Sequence, residues 1–301
     1  MTQRRATFVG FAAVLLWSLL ALFTVGSAPT PPLLLNTMCF SIGGAIGLLW
    51  AGYSGGLSSL RTVPLHIYLF GTLGLFGYHT LYFYALRNAP AAEAGLIAYL
   101  WPLLIVIFSG LLPNERLRPG HVVGAFVGFA GAALIVSGGE AGFSTDNATG
   151  YALAFLCALT WSGYSVVSRR VGTAPTASVG VFCLATAALS LPLHFLLETT
   201  VVPQSMIGWS AIIGLGLGPV GLAFFVWDIG VKRGDIQLLG AASYAAPLLS
   251  TVILILAGVA EAQSTLIWSS FLIAGGAAIA ARASMRRETD PALSGPESTR
   301  P

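Results

Sequence analysis

Stretches of about 20 apolar residues, the length that crosses a bilayer as a helix, alternate with short polar connections along almost the whole chain. Ten can be drawn, over 7–28, 32–52, 66–86, 91–112, 119–137, 150–169, 177–197, 206–230, 236–258 and 264–282. The first follows Arg4 and Arg5, as the core of a signal peptide would. It is too long for such a core and lacks a small-residue cleavage site ahead of a soluble domain, so it reads as the first helix. Beyond it the pattern predicts an all-α membrane protein of ten transmembrane helices. The stretch after 282 is rich in proline, serine and charge, and predicts a disordered cytoplasmic tail over 283–301.

The pattern of apolar runs contains itself twice. Trp17-Ser18 returns as Trp161-Ser162, Cys39 as Cys183, Gly131-Ala132-Ala133 as Gly276-Ala277-Ala278, and Glu115 as Glu261. The glycine-rich Gly71–Gly77 resembles Gly214–Gly221. The match is sharpest between Gly95–Leu104 and Gly240–Leu249, where Gly95, Tyr99, Pro102, Leu103 and Leu104 recur at one spacing as Gly240, Tyr244, Pro247, Leu248 and Leu249. Each half, 7–137 and 150–282, then holds five helices. Five is odd, so the second half enters the membrane from the opposite side, which predicts inverted repeats around a central cavity. Pro102 and Pro247 each remove a backbone hydrogen bond in mid-helix. One such proline would read as a packing kink. Two, at matching positions of two halves, point to a transport site.

Composition agrees: 56% of residues are hydrophobic and 8% charged, with a mean hydropathy of +0.83. A soluble domain carries about 25% charged residues, so this chain could not cover a water-facing surface. Lys232 is the one lysine, and no basic face exists to bind nucleic acid. With the N-terminus in the cytoplasm, all 14 lysines and arginines except Arg87 fall inside, which predicts both termini cytoplasmic. Cys39, Cys157 and Cys183 lie in apolar runs and read as small buried hydrophobes, neither disulfides nor a metal site. No HExxH, CxxC or P-loop is present, so metalloprotease, thiol-redox and ATP-driven chemistry have no support, and no cofactor is expected.

Tryptophan and tyrosine normally gather at the membrane interfaces. Here Trp17, Tyr78, Tyr82, Tyr99, Trp101, Trp161, Tyr164, Trp227 and Tyr244 lie near the middle of their runs. Tyr78 and Tyr82 share one helix face, as do Trp161 and Tyr164. Singly, each reads as core packing. Together they predict a cavity wall that suits a flat or amphipathic solute, through stacking and cation–π contact. His79 lies at the same depth and could hydrogen-bond the solute, pass a proton, or rest neutral on a neighbouring carbonyl. A zwitterion would be met by backbone freed around Pro102 and Pro247 and by hydroxyls such as Ser243, Tyr99 and Tyr244. Asp228 and Lys232 form an i,i+4 pair. Glu93 is expected beside Arg87 at an N-terminus that suits an acid. His194, without polar companions nearby in sequence, reads as packing, and His66 and His121 as interfacial.

Tyr84-Ala85-Leu86, Ala91-Ala92-Glu93-Ala94, Pro102, Pro113-Asn114-Glu115-Arg116-Leu117, Gly128 and Gly131 resemble the EamA-type repeat of the drug/metabolite transporter superfamily. The likeness covers about residues 8–282. Within the superfamily the chain looks most like the bacterial inner-membrane exporters of aromatic amino acids. In the second repeat Gly258-Val259-Ala260-Glu261-Ala262 keeps the acid but not the following arginine. The resemblance implies a secondary carrier in the inner membrane, with a small neutral metabolite and the lipid bilayer as its partners. Its expected cargo is aromatic and other apolar amino acids, exported by alternating access.

Two other classes stand beside the carrier. Gly52-Tyr53-Ser54-Gly55-Gly56 matches G-x-S-x-G and, in its first four residues, the serine loop of intramembrane serine proteases. A hydrolase elbow needs a strand–turn–helix setting, and a protease needs the serine at membrane depth, whereas Ser54 falls in a loop after the second run. A passive channel would usually carry a polar or charged constriction, and the chain offers aromatics instead.

Overall fold

The computed structural model describes residues 1–53, 56–113, 115–137, 143–261 and 264–288. Ser54 and Gly55 of the G-x-S-x-G stretch, Asn114, Ala262 and residues 289–301 of the expected tail lie outside the described residues. Among those described, the fold is helical throughout. In chain order the helices are α1 (Gln3–Trp17), α2 (Leu20–Gly26), α3 (Pro32–Tyr53), α4 (Leu57–Arg61), α5 (Leu65–Asn88), α6 (Ala91–Ala98), α7 (Trp101–Ser109) and α8 (Pro119–Ser137). After a 3₁₀ turn at Thr145–Asn147 come α9 (Ala148–Arg170), α10 (Ser178–Leu197) and α11 (Met206–Leu217). A π-helical turn, Gly218–Leu222, leads into α12 (Ala223–Arg233), α13 (Ile236–Ala242), α14 (Ala245–Leu256) and α15 (Thr265–Glu288). The last helix therefore continues past 282, where the tail was expected to begin.

Eight helical segments among the described residues are long and apolar enough to cross a membrane. The 24-residue α5 is not among them. It carries His66, Tyr68, Tyr78, His79, Tyr82 and Tyr84, whose polar atoms offset its leucines and phenylalanines. Glu93–Ser109 is a shorter apolar segment, divided between α6 and α7.

Three apolar runs are broken near their middles. Pro102 and Pro247 each fall in the first turn of the second piece, where a missing N–H costs nothing. The carbonyls they cannot reach, four residues back, belong to Ala98 and Ser243, and there the preceding pieces stop. The first run breaks at Ser18, whose hydroxyl donates to the Leu15 carbonyl at 2.6 Å and so competes with the helical ladder.

The helices pack mainly across the two halves, with α3 on α10, α8 on α15, α1 on α12 and α5 on α9. Each pair is antiparallel: Asn36 meets Ser190 while Gly47 meets Gly180, and Gly120 meets Ala283 while Gly131 meets Ile273. Small residues set the spacing. A Cβ on Gly10 would lie 2.7 Å from the Gly230 Cα, and one on Gly47 would lie 2.6 Å from the Gly180 Cα. In a bilayer, where lipid is as apolar as leucine, such backbone-to-backbone approach is a main source of helix association.

Candidate functional site

The breaks surround a cavity of about 540 Å³ in the centre of the bundle. Trp17 from the α1–α2 joint, Tyr99 and Trp101 from the α6–α7 joint, Ala246 from the start of α14 and Pro219 from the π turn all face it. A π turn widens a helix by one residue and is frequent at functional sites. Gly221 makes this one possible, since a Cβ there would sit 2.0 Å from the Gly216 carbonyl oxygen.

The inner wall is aromatic. Trp17, Trp101 and Trp161 meet edge to face, with ring centres 5.9 Å apart for Trp17–Trp101, 5.8 Å for Trp17–Trp161 and 6.3 Å for Trp101–Trp161. The Trp17 indole N–H donates to the Pro219 carbonyl at 3.1 Å, which ties the first break to the π turn. Tyr78 and Tyr82 lie parallel at 6.2 Å along α5. His79 stands edge-on to Phe40 at 4.9 Å. Its Nδ1 is 2.8 Å from the Leu75 carbonyl. A carbonyl only accepts, so Nδ1 carries the proton and Nε2 is left as an acceptor. That answers one sequence question: the ring does rest on a neighbouring carbonyl, and it still reaches the cavity.

Seven of the residues singled out from sequence thus share one wall: Trp17, Tyr78, His79, Tyr82, Tyr99, Trp101 and Trp161. The others sit elsewhere. Trp227 packs behind Trp17 at 5.1 Å and donates to the Ser165 hydroxyl at 3.1 Å. Tyr164 stacks on Trp161 at 5.3 Å and fills the notch at Gly74. Ser243 turns its hydroxyl back to the Leu239 carbonyl. Tyr244 is fully buried, and its hydroxyl accepts the Leu103 N–H at 3.1 Å. Pro102 and Pro247 shape the joints without lining the space. Sequence reasoning missed Thr24, Asn36, Pro219 and Phe224. Asn36, a carboxamide within the apolar run 32–52, could have been found by the rule that picked out His79. It reaches the Ser190 hydroxyl at 3.4 Å. No aspartate, glutamate, lysine or arginine belongs to the wall among the described residues.

The charges lie at the two ends instead. At one end Val25, Pro32 and Leu86 line the cavity, Arg87 follows Leu86, and we call this end the rim. Arg87 does not pair with Glu93 as expected: it lies 3.5 Å from Glu198, while Glu93 accepts the Tyr151 hydroxyl. Glu198 is buried. It receives the Leu33 and Leu34 N–H groups, the free donors at the start of α3, and its oxygen lies 2.9 Å from His194 Nδ1. His194 is therefore no packing residue, since its Nε2 also meets Thr200 at 2.8 Å. Sequence hid this because its partners come from the following loop and from α3. At the other end no described residue lines the cavity, and polar contacts cross between the helices. Arg169 pairs with Glu115 and donates to the Val231 and Gly234 carbonyls at 2.8 Å, which fastens the ends of α9 and α12 to the α7–α8 connection. The Asp235 N–H donates to Thr7 at 2.9 Å, and Arg118 to the Ala283 carbonyl at 3.2 Å. Asp228 meets Lys232 at 2.8 Å, the pairing expected from their spacing, and also accepts from Thr176. His121, in the first turn of α8, is buried with its Nε2 3.3 Å from the Ser284 hydroxyl.

The profile of the EamA-like transporter family matches residues 4–137 and again 148–282. The chain is 52% identical over 283 residues to the aromatic amino acid exporter YddG of Ancylobacter novellus, across 93% of this chain and 98% of that protein. It is 26% identical to the aromatic amino acid exporter YddG of Escherichia coli K12, across 84% and 88%. A solved crystal structure, 51% identical in sequence, superposes with a TM-score of 0.90 over 95% of this chain and 100% of that one.

Proposed function

Because the chain belongs to the EamA-like transporter family, we propose that it is a secondary carrier, not an enzyme, exporting aromatic and other apolar amino acids by alternating access. The observation that carries this reading is the cavity itself, walled by indole and phenol rings and free of fixed charge among its described lining residues. Flat apolar side chains stack on such walls. A zwitterion's ends are met by Asn36, Tyr99 and the ring faces. A side chain with net charge would enter without a counter-ion, at a cost of several kcal/mol. The names of the relatives, exporters of aromatic amino acids, agree with this cargo.

The ten apolar runs are read as ten crossings, five per repeat, within the repeats 7–137 and 150–282. The antiparallel pairing of α3 with α10 and of α8 with α15, counterparts in the two halves, supports inversion. The arginine-rich end is assigned to the cytoplasm of a bacterial cell and both termini with it, so the cavity rim faces outward. A carrier is favoured over a channel on the reading that contacts such as the Arg169–Glu115 pair shut the cytoplasmic end while the cavity opens at the other. Purified protein in liposomes, given labelled tryptophan, phenylalanine and threonine with and without a pH gradient, is the test. Saturable flux with counterflow is expected. Flux linear in concentration, or none for tryptophan and phenylalanine, would refute the reading.

A further inference from the structure

The two runs broken at proline share glycine, tyrosine and proline at matching positions but do opposite things. At the second, Gly240 lies against α7: a Cβ there would be 3.0 Å from the Pro102 carbonyl oxygen and 2.9 Å from Val106. Tyr244 completes this contact by accepting the Leu103 N–H, a donor that the first turn of α7 leaves without a helical partner. At the first break the counterparts are idle. An added Cβ on Gly95 would meet Val136 alone, a side-chain methyl at 3.3 Å, and no backbone. Tyr99 faces the cavity, as do Ala98 at the end of α6 and Ala246 at the start of α14. One joint is clamped and the other is held apart by the cavity.

We infer that Gly95 and Tyr99 are the positioning residues of the opposite conformation: Gly95 seats against the Pro247 carbonyl and Tyr99 accepts the Leu248 N–H, while Gly240 and Tyr244 let go. This rests on the alternating-access reading, because two inverted copies exchange their local structures when the carrier turns over. It explains why the sequence keeps glycine at a site where an added Cβ would meet only a Val136 methyl. It also gives each half a polar latch of the same chemistry, so neither helix start is left without an acceptor in the state where its joint is dry.

The test uses full-length protein in liposomes, with Cys39, Cys157 and Cys183 replaced by alanine and a reporter Val25→Cys at the rim, labelled by an impermeant maleimide. Gly95→Ala should speed labelling and slow tryptophan turnover on the order of tenfold, since it penalises one of two states. Its apparent tryptophan Kd at the open side should tighten only by the factor by which labelling rises, because Gly95 is not on the cavity wall. Tyr99→Phe should shift labelling the same way. Gly240→Ala should shift it the other way, and Tyr244→Phe covers the case in which Gly240→Ala does not fold. If labelling of the reporter protein without these changes ignores tryptophan, alternating access itself is wrong. If it responds to tryptophan, yet Gly95→Ala and Tyr99→Phe label and transport as it does, this inference alone is overturned.

Discussion

At the scale of single residues, His79 is the most informative position. The Leu75 carbonyl fixes its tautomer and turns Nε2 into an acceptor in a wall with few others. Tryptophan brings an indole N–H that phenylalanine lacks. His79→Leu should therefore cut tryptophan transport about tenfold more than phenylalanine transport, the worth of one hydrogen bond in a dry site. Paired kinetic measurements check this, and equal losses would mean the ring serves only as packing. Much of the wall was legible because aromatic rings at mid-membrane depth are out of place in a linear reading. What could not be read was direction. Trp227 and Tyr244 have the same depth and chemistry as Trp101 and Tyr99, yet Ser165 and Leu103 hold them in the core. Those partners come from other helices, and no local spacing reveals them.

At the scale of helices, the proline breaks followed from sequence because proline lacks a donor and clashes with the turn before it. The break at Ser18 and the π turn at Gly218–Leu222 did not. Serine bends a helix only when its hydroxyl turns inward, and a π turn needs a partner such as Trp17 on its freed carbonyl. Helix contacts also decide which glycines matter. Gly47→Ala would press a methyl into the Gly180 backbone and should destabilise the protein by about 1–3 kcal/mol. Gly163, inside α9, has nothing within 4 Å of an added Cβ, so Gly163→Ala should stabilise by about 0.5–1 kcal/mol. Melting curves in detergent distinguish the two. Similar shifts would show that helix propensity, not spacing, dominates.

At the scale of the whole molecule, the shut end depends on a largely buried ion pair. Glu115→Gln leaves Arg169 in place without its counter-ion, at a cost on the order of 3 kcal/mol to this conformation. The rim reporter Val25→Cys should then label more slowly, opposite in sign to Gly95→Ala. Unchanged labelling would mean that the Arg169 contacts to Val231 and Gly234 suffice for closure. The uncharged wall has one more consequence. A carrier loaded with a zwitterion alone moves no net charge, so a membrane voltage worth about 2.3 kcal/mol per elementary charge per 100 mV has nothing to grip. Such a device is electrically silent. Carrying its cargo alone, it would act as an overflow valve whose direction follows the cell's own surplus and whose flow stops when the pools on either side are level.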